Sequence, residues 1–189
     1  MSADLKLPKA YKTFLMLVLV IGPFFWLSFT EEGQRRTDLA LMGFLGKPDF
    51  NAALEAFDSR LTEAKLRETF PKLEFQCAVG TNPFGNRLCG AEIGAFNQIP
   101  ARSVLLFFQD DQLRAAKVVY QPPYHAMVRR WVDQRVGTHK VNPTPVPAQE
   151  EGVIARPVAH GLLLMQDGEL THDADAALIW LSQAAIADG

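Results

Sequence analysis

VLLFFQDDQLRAAKVVY, residues 104–120, decides how this chain is read. Val104 to Phe108 is an uninterrupted apolar run, suited to a strand in the middle of a sheet. Asp110-Asp111 supplies a turn, because short acidic side chains bond their own backbone and tolerate left-handed geometry. Leu113 to Tyr120 then returns as the partner strand.

A second stretch follows the same plan. GLLLMQDGEL (161–170) and DAALIWL (175–181) also run as apolar strand, Gln-Asp turn, polar step and an apolar run started by Ala-Ala. The echo predicts that 176–181 is a strand paired back on 161–166, with Asp167-Gly168 as the hairpin turn. The alanines of 176–177 leave helix as the alternative. The echo also predicts two tandem helix–β-meander units, 49–121 and 122–189.

Working outward, Phe75, Cys77 and Val79 alternate with Glu74, Gln76 and Ala78, the period of a strand. Leu88 to Phe96 is a further strand, whose Gly90 and Gly94 point to a bulge or close packing. Gly152 to Val158 is another. Helices are expected from Asp49, with Phe50, Leu54 and Phe57 on one face, and from Thr62, with Leu66 and Phe70 before the stop at Pro71. Pro122-Pro123 opens a third, with Tyr124, Val128, Trp131, Val132 and Val136 as its stripe. Lys140 to Gly152 is a Pro-rich connector. The expected fold class is α+β: an antiparallel sheet with helices on one face. Nine of the 13 Phe lie outside the N-terminal apolar segment, enough for an aromatic core.

That segment, TFLMLVLVIGPFFWLSFT (13–30), carries no charge. As a helix it is about 27 Å long, close to the roughly 30 Å hydrocarbon thickness of a bilayer. Tyr11 and Trp26 sit where interfacial aromatics belong, and membrane helices tolerate a proline such as Pro23. Lys6, Lys9 and Lys12 precede it, Glu31 and Glu32 follow, so residues 1–12 are expected in the cytoplasm and the rest outside. The expectation is a single-pass inner-membrane anchor with a periplasmic domain over 49–189. Residues 31–48 form the juxtamembrane connector, with a short helix over Thr37 to Leu45. A cleaved signal is the rival, but Leu27 to Glu31 offers no small-x-small cleavage site. A buried soluble helix is the third alternative.

The 189 residues are 48% hydrophobic and 21% charged, which excludes a disordered tail, a collagen-like fibre and a polytopic membrane protein. The net charge of −2 gives no footprint for nucleic acid.

Cys77 and Cys89 flank AVGTNPFGNRL, rich in turn residues. If both flanks are strands, the thiols face each other across a hairpin. A structural disulfide suits an exported domain and contributes about 3 kcal/mol in the chain-entropy model. Two free thiols, or a redox or metal pair, are the alternatives.

RLTEAKLRETFP (60–71) resembles the Met-Thr-x-x-x-Val…Leu-Gly-x-Pro second helix of small envelope lipoproteins of the SmpA/BamE type. The strand–turn–strand over 104–120 is similar to their three-strand meander, a unit the β-lactamase-inhibitor-protein fold repeats twice. The resemblance implies two helices followed by a meander. Phe70-Pro71 replaces the Gly-x-Pro stop and no lipid-accepting Cys is present, so it implies no functional residue.

Motifs with chemistry are scarce. His125, His139, His160 and His172 have neither i, i+4 spacing nor an H-E-x-x-H context. His172, with Asp173 and Asp175, is a weak cation candidate and by default a solvated turn. Ser103 has no base beside it in sequence. Glu92 reads as a solvent-facing strand residue, and TNPFGNRLCG as a hairpin loop rather than a phosphate cradle. No catalytic residue, metal site or cofactor is implied. Phe84, at the tip of the loop between the cysteines, is either a binding anchor or a ring folded onto the core.

These observations favour a membrane-tethered binding or scaffold module that contacts an envelope protein. A small-ligand or lipid-binding sensor is the first alternative and requires a deep apolar cavity. An envelope hydrolase with a site gathered from distant residues is the second.

Overall fold

The computed structural model describes residues 8–52, 56–136, 152–171 and 173–188. The expectations for His139, His172, most of the Pro-rich connector and Leu54 lie outside the described residues.

The first helix, α1, runs Lys9–Phe29 with no buried residue. Among the described residues it is the one helix long and apolar enough to cross a membrane. Thr30 ends it by adopting extended backbone. The Thr30 hydroxyl donates to the Trp26 carbonyl (2.7 Å) and accepts from the Gly33 amide (3.0 Å). One side chain therefore closes α1 and caps α2, Glu31–Phe44. Glu31 and Glu32 in the first turn complement the positive end of the α2 dipole. The helix is longer than the expected Thr37–Leu45 because its cap is Thr30.

The strands are β1 (Asp49–Phe50), β2 (Gln76–Asn82), β3 (Gly85–Glu92), β4 (Ala95–Phe96), β5 (Ile99–Gln109), β6 (Gln112–Tyr120), β7 (Val153–Val158), β8 (Gly161–Gln166) and β9 (Ala177–Ser182). They form one sheet in the order β1-β4-β5-β6-β9-β8-β7, with β2 and β3 attached through the β3–β5 pairing. The expected 104–108 and 113–120 hairpin is β5–β6, and the expected 176–181 strand is β9 on β8.

Several expectations are corrected. Asp49 and Phe50 begin no helix. They form β1, paired parallel to β4, so the sheet is mixed rather than wholly antiparallel. This pairing places the Phe50 ring, 1% exposed, among Phe57, Phe70 and Phe96. Burying that ring outweighs a local helical preference of a few tenths of a kcal/mol per residue. The Leu88 to Phe96 strand is split at Ile93-Gly94, where a Cβ on Gly94 would lie 2.9 Å from the Met42 Cβ of α2. Asp167-Gly168 only starts the β8–β9 connection, which continues through Ala176, with Leu170 packed on the core.

The Thr62-capped helix is present as α3, Glu63–Thr69. The Thr62 side chain accepts from the Lys65 amide, and Leu66 is fully buried. After a 3₁₀ turn at Pro122–Tyr124, α4 runs His125–Val136 and buries Val128 and Val132. Two hairpins turn on paired left-handed residues, Asn97-Gln98 (φ 48° and 65°) and Asp110-Asp111 (φ 52° and 61°). That geometry matches the right-handed twist of the flanking strands.

Alternation assigns the two faces of the sheet. Cys89, Val104, Leu106, Phe108, Val118, Leu163 and Trp180 are buried on one face. Register places them side by side: Cys89 opposite Leu106, and Trp180 between Ala116 and Leu163. Both α3 and α4 reach this face, through the Arg87–Glu63 (2.5 Å) and Arg156–Asp133 (3.5 Å) ion pairs. The reverse face carries Ala115, Leu162 and Leu181. There α5, Gln183–Ala187, packs against β6, β8 and β9, so the helices are not confined to one face.

Phe108 has no exposed surface. Phe108→Ala is expected to cost about 3–5 kcal/mol, read as a lower urea midpoint at unchanged m-value.

Candidate functional site

Cys77 and Cys89 lie directly opposite each other in the β2–β3 pairing and form a disulfide. It sits beneath α3. Arg67 reaches Cys77 Sγ (3.3 Å) and the Phe75 carbonyl (3.2 Å), while Glu63 takes both Arg67 (3.0 Å) and Arg87 (2.5 Å). The Arg87 hydrogen bond, with Arg67 behind it, holds the Glu63 carboxyl below the usual range although burial opposes this. The Glu63 carboxylate and the two sulfurs lie within 4.8 Å of one another. With the sulfurs bonded to each other, no thiolate is present to bind a soft metal.

Beyond the disulfide, β2 is an edge of the sheet, and its outer side has no partner strand among the described residues. Its sequence, QCAVGTN, has no charge and no proline, the usual devices that protect an edge. Val79 is 80% exposed there. The reverse face beside it is apolar. Ala78, Leu88 and Phe107 follow one another across β2, β3 and β5 in register, with Leu105 next along β5. A cleft of about 570 Å³ opens over Ala78, Leu88, Gly90 and Leu105, with Glu74 and Glu92 among its lining.

Phe84 belongs to this surface. Pro83 and Phe84 turn the β2–β3 hairpin, and the Asn82 side chain accepts from the Phe84 amide (2.9 Å). Gly85 must be glycine, since a Cβ would lie 2.2 Å from the Phe108 carbonyl oxygen. The Phe84 ring is half-buried and meets Phe107 edge-on at 5.4 Å. The ring named as a candidate anchor thus extends the apolar strip of the reverse face.

A second concavity, about 590 Å³, lies between α2, α4 and the Asn97-Gln98 turn. Arg35, Arg130, Arg135 and Trp131 line it, with Glu32 as the acid. Arg35 binds Glu32 through two nitrogens (2.8 and 2.6 Å) and the Gln98 carbonyl through a third (2.8 Å). The Arg35 and then the Arg36 hydrogen bond hold the Glu32 carboxyl down at about 2. Arg130 pairs with Glu31 (2.9 Å), and the Tyr124 hydroxyl donates to Asp38 (2.7 Å). Sequence reading did not find this cleft, because its walls come from segments a hundred residues apart with no shared motif.

The other candidates are dispersed. His160 is exposed on the β7–β8 turn. His125 is buried at the other end of β8, beside Gln166 and Gly168. The strand between them is six residues, about 20 Å. Glu92 is on the surface, paired with Lys47. Ser103 is half-buried opposite it across the β3–β5 pairing.

Compared with protein-family models, curated proteins and solved structures, the chain matches none.

His125 shares a 2.7 Å hydrogen bond with the Tyr120 hydroxyl through Nδ1, and Nε2 is buried without a well-formed hydrogen bond among the described residues. Burial, then the Arg129 charge, holds its imidazole below the ordinary range, opposed by the backbone of Gln166 and Gly168 and by Asp167. The unfolded chain takes up this proton near pH 6.5 and the folded chain only lower down. Stability therefore falls as pH drops below about 6.5, since the unfolded state binds more protons there. His125→Gln should flatten this dependence in urea midpoints measured across that range. An unchanged slope places the effect elsewhere.

Proposed function

We propose that this protein is a membrane-anchored binding module of the bacterial envelope. In this reading α1 crosses the inner membrane once and residues 31–189 stand in the periplasm. Lys6 before α1 and Lys9 and Lys12 in its first turn support that orientation, and the Cys77–Cys89 disulfide fits an oxidising compartment. The domain acts by protein–protein interaction, taking an extended segment of an envelope protein as an added strand on β2. The observation that carries the reading is the open, uncharged edge of β2 beside the apolar strip of Ala78, Leu88, Leu105, Phe107 and Phe84. Strand addition supplies affinity through main-chain hydrogen bonds, and the strip supplies side-chain selectivity. The echo between 104–120 and 161–181 supports a further reading, two tandem halves joined where β6 meets β9.

A second reading, a sensor for a small anionic ligand, is favoured by the arginine-lined cleft between α2 and α4.

A photo-crosslinker at Val79 of the full chain in native membranes is expected to capture one defined envelope protein. Ala78→Asp, which puts a charge on the apolar strip beside the open edge, should abolish the capture while Lys65→Ala on α3 leaves it intact. Equal capture by all three chains, or none by the parent, ends the strand-addition reading. A periplasmic reporter fused after residue 189 that stays inactive ends the topology.

Reduction of the disulfide frees the edge hairpin. Cys77→Ser with Cys89→Ser is expected to lower stability by about 3 kcal/mol, measured by urea unfolding, with hydrogen exchange rising first in β2.

A further inference from the structure

Beyond its contact with the end of α1, the side of α2 turned away from the domain has no partner among the described residues, although it carries large apolar side chains. Leu41 is 49% exposed and Phe44 88%. We propose that this side of α2 lies in the lipid–water interface of the same bilayer that holds α1, giving the domain a second, non-covalent attachment to the membrane. The inference rests on α1 being the anchor.

Helix geometry assigns the sides. Glu31, Arg35 and Asp38 bind Arg130, the Gln98 carbonyl and Tyr124, and Met42 packs at Gly94. These four residues repeat every three to four positions and define the side facing the domain. Gly33 faces the other way. A Cβ there would lie 2.2 Å from the Trp26 carbonyl oxygen and 2.7 Å from the Leu27 Cα, so that side looks onto the end of α1. Phe44 is eleven residues after Gly33, about three turns, and lies on the Gly33 side some 16 Å further along the axis. Leu41, its i−3 neighbour, flanks it, whereas Leu45, three residues after Met42 and seven after Asp38, falls toward the domain side. The domain is above α2, and α1 and Phe44 are below.

The corner is firmly built. Gln34 Nε2 donates to the Ser28 carbonyl (2.8 Å), and the Arg36 guanidinium lies 5.5 Å from the centre of the Trp26 ring. On one continuous helix, residues ten apart are about 15 Å apart along the axis, so α2 departs sharply from the direction of α1. With α1 in the hydrocarbon and ending at Phe29, a helix that turns away at Thr30 runs along the surface rather than outward from it. Its underside then meets the headgroup and upper acyl region, where an apolar helix face is stable. Arg36 on this side is paired with Glu32, so burial of Leu41 and Phe44 drives the contact, not attraction to anionic lipid.

The test uses the full, oxidised chain in nanodiscs of phosphatidylcholine, with and without bromine on the acyl chains. A fluorophore is attached to one introduced thiol at a time: Phe44→Cys, Val18→Cys within α1, or Lys65→Cys on α3. The native cysteines are bonded to each other and do not label. At Phe44→Cys, brominated lipid is expected to quench several-fold, as at Val18→Cys, and aqueous iodide to have little effect. Lys65→Cys should show the reverse. Adding Leu41→Asp should restore iodide quenching at Phe44→Cys. Iodide quenching at Phe44→Cys while Val18→Cys is quenched by lipid overturns the inference and leaves the anchor standing. Protection from both quenchers at Phe44→Cys means a protein covers it, and also overturns the inference. Absence of lipid quenching at Val18→Cys removes the anchor itself.

Discussion

The pairing of β6 with β9 is the constraint on which the domain depends. Ala115 to Val119 run antiparallel to Leu181 to Ala177, and among the described residues no other pairing joins the two groups of strands. On one side stand β5, β3, β2 and the short β1–β4 pair, on the other β8 and β7. Trp180 sits at this seam between Ala116 and Leu163, with no more than 1% of its surface exposed and its ring 6.0 Å from Phe57. The small side chain of Ala116 lets so large a ring fit across the pair. Without the seam neither half has a closed core, and the helices that cover the buried face lose a continuous surface.

A second dependence runs through α2. A segment that follows an apolar N-terminal helix is often a loose tether, but here Glu31, Arg35 and Asp38 each bind a different part of the domain. Individually such part-exposed pairs are weak. Together with the close approach at Gly94 they fix one helix face against the domain, while Thr30 and Gly33 fix its start against α1. The domain is therefore oriented relative to α1. The same arrangement forms the arginine-lined cleft, since α2 is one of its walls.

Much of the fold was legible along the chain. The 104–108 run is continuous because β5 buries Val104, Leu106 and Phe108 on one face and half-buries Leu105 and Phe107 on the other. The Thr62 cap and the Asp110-Asp111 turn are local devices whose physics needs no distant partner. The echo at 161–181 led to β9 even though its alanines favour helix. Phe50 shows where such reading fails. Its spacing with Phe57 suits a helix, but β4 offers both a hydrogen-bonding edge and an aromatic pocket, and β4 is visible only once the sheet exists. Asp167-Gly168 failed similarly, because Leu170 finds a place on the core and draws the connection out. Of the candidate site, Phe84 and the cysteine pair were legible. The open edge of β2 was not, since a strand becomes an edge only through the order of the others.

By itself the amino-acid sequence determined the apolar N-terminal helix, the thiol pair flanking a turn-rich loop, and the 104–120 hairpin with its turn. Each follows from periodicity, composition or the conformational limits of single residues. The tertiary structure alone decided which strands are neighbours, which edge stays open, which side of α2 the domain occupies, and that three arginines converge on one cleft. These follow from pairing and burial between residues far apart in the chain, where no local signal distinguishes one partner from another.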